Sequence, residues 1–420
     1  MKRSAAFFLL FIFISSGAVR AEGVSLTLEE AINIALRDHR DVLLKTGDVI
    51  KAKAKIAEAN ASLFPTLNFT GAWTDTRGLY SKDLGQSTAQ LTLKQYLYKG
   101  GKTINTIEQN KYKVQVSTSL LDKTKLELIL NVKKAFYTLL LAKEFASLNQ
   151  GILENTRGHL NFIKERYQYG QASASEILNI DASLNSVQQA YQASLNQVEA
   201  TQALLNNLLC LDKDTRIKPN TRFNYEAQEV AFDEAFLKAM RLRPEIRQFE
   251  AQGKAAEKAV EIAKADNRPS VYASWDYYSR SHLATGTARG WNDYNVIGLT
   301  FSWPMFDGWA TKAKVEQAIV DLKEAQLMKE KTTADIALEL KNAYLDLKNA
   351  IARMKSTQSE ADVYKDTLSA AQDKYKAGIA SSLDFDDASL GYKVSLFNQK
   401  EAIYDYVLAK ARFDKATGGL

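Results

Sequence analysis

The chain of 420 residues has one cysteine, three histidines and five prolines. A lone Cys210 excludes an internal disulfide and any cysteine-built metal site. His39, His159 and His282 stand far apart, with no His-Glu-x-x-His and no Gly-x-Ser-x-Gly. The constellations that most enzymes need are therefore missing, and no catalytic residue, metal or cofactor is assigned. Gly101-Lys102-Thr103 resembles the end of a phosphate loop, but Tyr96 stands where that loop needs its first glycine. Net charge is only +6, with both signs mixed along the chain, which gives no nucleic-acid signature.

Long apolar runs are equally scarce. Ala5–Ile14 is the one clear case, about ten residues against the twenty or so of a membrane-spanning helix. Lys2 and Arg3 precede it, and Val19-Arg20-Ala21 follows with small residues at the cleavage positions. Residues 1–21 thus read as a secretory signal peptide. Without Lys2, Arg3 and Arg20 the chain has 52 basic and 49 acidic residues.

Proline is absent from Tyr98 to Arg166 and again from Met305 to Lys376. Both stretches are rich in Ala, Leu, Lys, Gln and Glu, and both predict helices near seventy residues. At about 1.5 Å per residue, each would reach roughly 100 Å.

The mature chain is an internal duplication. Leu28-Glu29-Glu30-Ala31 matches Phe232-Asp233-Glu234-Ala235, and Pro65 matches Pro269. Farther on, Leu91-Thr92-Leu93 matches Leu299-Thr300-Phe301, Gly100 matches Gly308, and Tyr167-x-x-Gly170 matches Tyr375-x-x-Gly378. The first repeat covers 22–211, a polar linker 212–230, and the second repeat 231–420.

Each repeat predicts helix, strand, strand, long helix, helix. A first helix runs from Thr27, with Glu30 completing a capping box, to Leu63 before Pro65. Its counterpart runs from Phe232 to Asp266, broken at Pro244. Alternation of apolar and polar residues marks strands at 66–75, 88–98, 270–279 and 293–304. Arg77–Ser87 and Arg280–Asn292 read as connecting loops. Ten-residue alternation is the pattern of membrane β-strands. All five tryptophans lie in these hairpins or just after them. Trp73, Trp275, Trp291 and Trp303 suit the two bilayer interfaces. Four strands cannot close a barrel, and lipid tolerates no open edge, so several chains would share one. The glycines at 170 and 378 end the long helices, and Ser173 or Ser175, and Ser381 or Ser382, can cap the returning ones.

Signal peptide, Leu-Thr-Leu-Glu-Glu-Ala opening, strand pairs led by proline, Tyr-x-x-Gly turns and duplication together resemble the TolC family of outer-membrane efflux proteins. The resemblance covers nearly all of the mature chain. It implies a homotrimer in the outer membrane of a Gram-negative cell, extending into the periplasm. The implied fold is mainly α, a barrel of twelve helices, with four strands per chain in a shared twelve-strand β-barrel. The implied function is the exit duct of a tripartite efflux pump or type I secretion system. A periplasmic adaptor and an inner-membrane transporter of RND, ABC or MFS type would be its partners.

Asp384 and Asp387, one helical turn apart, share a helix face. Spacing alone allows a solvated acidic helix start or a charged ring. The resemblance points to the ring at the periplasmic entrance. It also implies a gate latch of Tyr375 with Glu176 and Ser175, and adaptor contacts at the Gly170 and Gly378 turns. Ala380 stands where the family carries a gate arginine. A periplasmic coiled-coil scaffold or adaptor without a pore is the alternative reading, but it does not need duplicated, aromatic-rich strand pairs.

Overall fold

The computed structural model describes residues 24–79, 82–221, 231–284, 287–288, 290–377 and 379–419. The predicted signal peptide, residues 222–230 of the predicted linker, and Gly378 lie outside the described residues. Element order follows the duplication. The first copy has β1 (Val24–Leu26), α1 (Leu28–Asp38), α2 (Arg40–Ala61), β2 (Thr66–Leu79), β3 (Lys82–Lys99), α3 (Lys102–Gln168) and α4 (Ala174–Leu208). After β4 (Ile217–Pro219) come α5 (Phe232–Leu242), α6 (Pro244–Lys264), β5 (Ser270–Ala284), β6 (Thr287–Ala288), β7 (Asn292–Ser302), α7 (Ala310–Lys376) and α8 (Ser382–Ala416). A single 3-10 turn, Ala265–Asn267, joins α6 to β5.

Thr27 and Glu30 form the expected capping box: the Thr27 amide donates to Glu30 Oε2 at 2.8 Å, and the Glu30 amide to Thr27 Oγ1 at 3.3 Å. The single helix expected from Thr27 to Leu63 is instead broken at His39. Its backbone is extended, and its Nδ1 accepts from the Asp41 amide at 3.2 Å, so a histidine acts as N-cap. In the second copy the matching break falls between α5 and α6, where Pro244 opens the new helix.

The long helices begin later than the proline-free runs. Gly100 and Gly101 have φ of +60° and +83°, and Gly308 and Trp309 have +68° and +70°. These left-handed turns let β-structure change direction into α3 and α7, which are each 67 residues long.

The chain divides into two compact units. One comprises residues to Ala35, Val132–Asn224 and Ser359–Tyr404. Here β1 pairs in parallel with β4, Val24 opposite Ile217. Asn206 Nδ2 of α4 donates to the carbonyls of Lys213 and Thr215, so part of the predicted linker is pinned to the helix before it. Among the buried positions of α3 here, Val132, Ala135, Leu139, Ala142, Ala146, Asn149 and Leu153 alternate three and four apart, and Phe136, Tyr137 and Leu160 are buried beside them. That is the seam of a coiled coil, and its period implies left-handed supercoiling.

The other unit comprises Leu36–Asn131, Tyr225–Gln358 and Asp405–Leu420. Ile336, Leu340, Ala343, Leu347 and Ala350 of α7 repeat the four-three spacing. This unit also holds the large sheet, in order β2-β3-β5-β7, antiparallel throughout, with the short β6 pairing the end of β5. The strands run farther than the alternation marked: β2 has 14 residues and β3 has 18. Both predicted connecting loops are largely strand. Leu84 pairs Ala284 and Gly85 pairs Leu283 across β3 and β5, and this ladder carries the backbone through polar, glycine-containing stretches.

Candidate functional site

Register sorts the sheet into two chemically distinct faces. Leu67, Leu93, Trp275 and Ile297 form one cross-strand row, and Phe69, Leu91 and Tyr277 lie in the next. Many apolar side chains of this face are open, Phe69 73% exposed, Trp73 71% and Ile297 83%, while Leu91, Trp275 and Tyr277 are half-buried. The opposite rows are polar. Thr92 Oγ1 donates to Asp276 at 2.6 Å, and Gln90 Nε2 donates to Asp276 and to the Tyr278 hydroxyl at 3.1 and 3.0 Å. An open apolar face backed by a polar one is inverted relative to a soluble sheet and fits a wall between lipid and water. Trp291 and Trp303 bracket β7 at its two ends, whereas Trp73 and Trp275 lie within β2 and β5. Among the described residues, β2 and β7 pair on one side only, leaving two open edges. No described helix is long and apolar enough to cross a membrane.

The helical turn after α3 is closed by Gly170 at φ +71°, with the Gln171 amide donating to the Arg166 carbonyl at 2.8 Å. Ser173, not Ser175, caps α4: the Glu176 amide donates to its Oγ at 3.3 Å, and that hydroxyl returns a bond to the Glu176 carboxylate at 3.0 Å. Ser175 lies 3.0 Å from Ser173, hydroxyl to hydroxyl.

The second copy repeats this at α8. Ser381 donates to Asp384 Oδ2 from its amide at 2.9 Å and its hydroxyl at 2.8 Å, and the Asp384 amide donates back at 3.2 Å. These bonds, the backbone one foremost, hold the Asp384 carboxyl below its ordinary 3.8 and keep it charged. Asp387 is exposed one turn on, its Oδ1 3.9 Å from His159 Nε2 of α3. That nitrogen is buried and has no hydrogen bond.

Tyr375 and Glu176 are not joined within the chain. The Tyr375 ring stacks on Phe385, centroids 5.7 Å apart and planes 18° apart, while Glu176 is held by Ser173. His159 and Phe385 are the partners that residue spacing missed, because both contacts cross between helices. Among the described residues no cluster of three or more His, Cys, Asp or Glu side chains is placed to hold a metal.

The model of the outer membrane efflux protein family matches residues 31–210 and 237–419. The chain belongs to the outer membrane efflux protein family. The two matched ranges fall within residues 22–211 and 231–420. Pseudomonas putida toluene efflux pump outer membrane protein TtgC is 22% identical, over 93% of this chain and 83% of that protein. Escherichia coli outer membrane protein TolC is 22% identical, over 87% of this chain and 77% of its own. The Campylobacter jejuni CmeC outer membrane channel has the same fold, with a TM-score of 0.79 at 19% identity over 93% of this chain and 85% of that one. This family member is an outer-membrane protein of TolC type and serves as an exit duct for efflux. The scaffold without a pore is not favoured.

Proposed function

We propose that the duct is a homotrimer in which twelve strands, four from each chain, close one barrel. The observation that supports it is the sheet from Thr66 to Ser302, apolar and exposed on one face, polar on the other, and open at both edges. In lipid each unpaired backbone group costs several kcal/mol, roughly, so an open sheet has to be completed by other copies. Trp73, Trp275, Trp291 and Trp303 would then meet the outer-membrane lipid, with Trp291 and Trp303 at the interfaces.

At the periplasmic end, three copies of Asp384 and Asp387 ring the entrance and bind cations there. Tyr375 latches the closed state with Glu176 and Ser175 of a neighbouring copy, since the two are not joined within one chain. The turns at Gly170 and Gly378 carry contacts to a periplasmic adaptor. An inner-membrane transporter of RND, ABC or MFS type supplies the energy in a tripartite pump or type I secretion system. Passage through the duct itself is passive, and partner binding favours the open state through contacts made only there.

Single-channel conductance of purified protein in planar bilayers tests this, comparing wild type with Asp384→Ala/Asp387→Ala. The expected wild-type current is small, cation-selective and blocked by multivalent cations, with blockade lost in the variant. Absence of any current from the assembled oligomer would overturn the duct. A current whose blockade ignores the substitutions would retain the duct and remove the ring.

A further inference from the structure

The polar face of the sheet carries a second set of charges, unrelated to the acidic start of α8. Near the helices, the Tyr96 and Tyr272 rings meet edge-on with centroids 5.5 Å apart. Lys94 Nζ lies 3.8 Å from the Tyr272 centroid and 4.8 Å from that of Tyr96. Lys99 Nζ lies 4.7 Å from the Tyr96 centroid. Six residues farther along β5, roughly 20 Å at strand rise, Tyr278 and Tyr294 stack with centroids 5.0 Å apart and planes 15° apart. The Arg280 guanidinium stands 5.1 and 5.6 Å from those two centroids. Between the two rungs sits Asp276, already taken up by Thr92 and Gln90.

The charges do not cancel. Among the described residues, Lys94, Lys99 and Arg280 have no carboxylate partner and no hydrogen bond, and Arg280 Nε is buried without an acceptor. A ring face steadies a cation by electrostatic attraction to its quadrupole but leaves the N–H donors free. The strand acids Asp75 and Asp293 belong to the other face by register, where Asp75 pairs with Arg77 and Asp293 accepts from Ser279. Asp276 is therefore the one described acid facing three cations.

Four tyrosine rings and three open cations suit a flat, negatively charged ligand. Its aromatic body stacks on the rings, and its carboxylate or sulfonate takes charge-assisted bonds, bidentate from Arg280. We infer that this face is a recognition belt for aromatic organic anions, giving the strand end of the duct a preference opposite in sign to its acidic entrance. The inference rests on the duct reading, because the polar face is interior only where copies close a barrel.

The test is equilibrium binding of 2-naphthalenesulfonate to the detergent-purified oligomer, read by ligand fluorescence. Neutral 2-naphthol and cationic 2-naphthylmethylamine are the comparison probes. The sulfonate should bind at least about tenfold tighter than either, and Lys94→Gln/Arg280→Gln should weaken it by about tenfold or more, one or two charge-assisted bonds' worth. Lys94→Arg should restore most of the loss in a Lys94→Gln background comparison. Equal affinity for the three probes, or unchanged affinity in the double variant, would overturn the belt. Heat-modifiable migration reports assembly, and if the double variant fails to assemble, Lys94→Gln and Arg280→Gln are read singly. In planar bilayers the sulfonate should also block the current when added on the side of the strand connectors. Current with no sulfonate binding removes the belt and leaves the duct. Sulfonate binding with no current removes the duct and leaves an anion site.

Discussion

Arg243 Nη2 donates to Glu339 Oε2 at 2.7 Å, although the arginine side chain is only 4% exposed. It also forks onto Glu245 through Nε and Nη2, both at 3.1 Å, and Nη1 reaches the Ala416 carbonyl at 3.3 Å. One guanidinium in the break between α5 and α6 thus ties α7 and the end of α8. Arg243→Met should cost about 2–3 kcal/mol, because it leaves Glu245 buried without its cation and Glu339 with Lys415 alone, tempered by the partial exposure of Glu339. Denaturant unfolding of the assembled protein measures it. Arg243→Lys should recover only part, since an ammonium cannot serve three partners in a plane. A methionine variant as stable as wild type would show the network to be dispensable.

Acid should weaken the same region. Burial pushes the Glu339 carboxyl up, but the charges and hydrogen bonds of Arg243 and Lys415 outweigh it and hold the group below its ordinary 4.5. Hydrogen bonds from Lys102 and Lys314 hold Asp266 below 3.8. Both groups are depressed in the folded state, so the unfolded chain takes up protons first. Their contribution is complete above the ordinary carboxyl values and is lost as pH falls below about 4.5 through the depressed ones. Denaturation midpoints taken from pH 7 down to 3 should fall mainly in that lower range, and Glu339→Gln should flatten part of the decline. A wild-type midpoint constant across the series would contradict the assignment.

Gly100 and Gly308 occupy matching turns but should respond differently to alanine. Both have positive φ, which strains any L-residue by about 1 kcal/mol. At Gly100 an added Cβ would also stand 2.7 Å from Arg268 Cβ and 2.9 Å from the Ala265 carbonyl oxygen, whereas at Gly308 nothing lies within 4 Å. Gly100→Ala should therefore lower the melting temperature clearly more than Gly308→Ala. Equal shifts would mean that the 265–268 backbone yields freely.

Ser381→Ala separates the two roles of Asp384. It removes the cap and the hydroxyl bond to Asp384 but keeps the Ser381 amide bond, the larger of the two causes that lower this carboxyl, so the residue stays ionised at neutral pH. Thermal stability should fall modestly while multivalent-cation blockade stays at the wild-type level. Asp384→Ala should lose both. If Ser381→Ala abolishes blockade as fully as Asp384→Ala does, the carboxylate's position, not its charge alone, sets the site.

Sequence by itself determined the duplication, the two very long helices, the strand pairs and their amphipathic faces. These follow from local rules: where proline is absent, where glycine permits a left-handed turn, and where apolar residues recur every second or every third to fourth position. The Thr27–Glu30 capping box was legible for the same reason, since its two residues act within one helical turn, whereas the structure chose Ser381 over Ser382 and paired it with Asp384. Tertiary structure decided what depends on partners remote in the chain. The Arg77–Ser87 stretch is largely strand because β3 finds β5 some two hundred residues away. Tyr375 turns to Phe385, and Asp387 comes beside His159, because helix packing sets those distances. The cation-on-tyrosine rungs are the same case: Lys94 and Tyr272 meet only because antiparallel register aligns two strands from opposite halves of the duplication, and no spacing within either strand encodes that meeting.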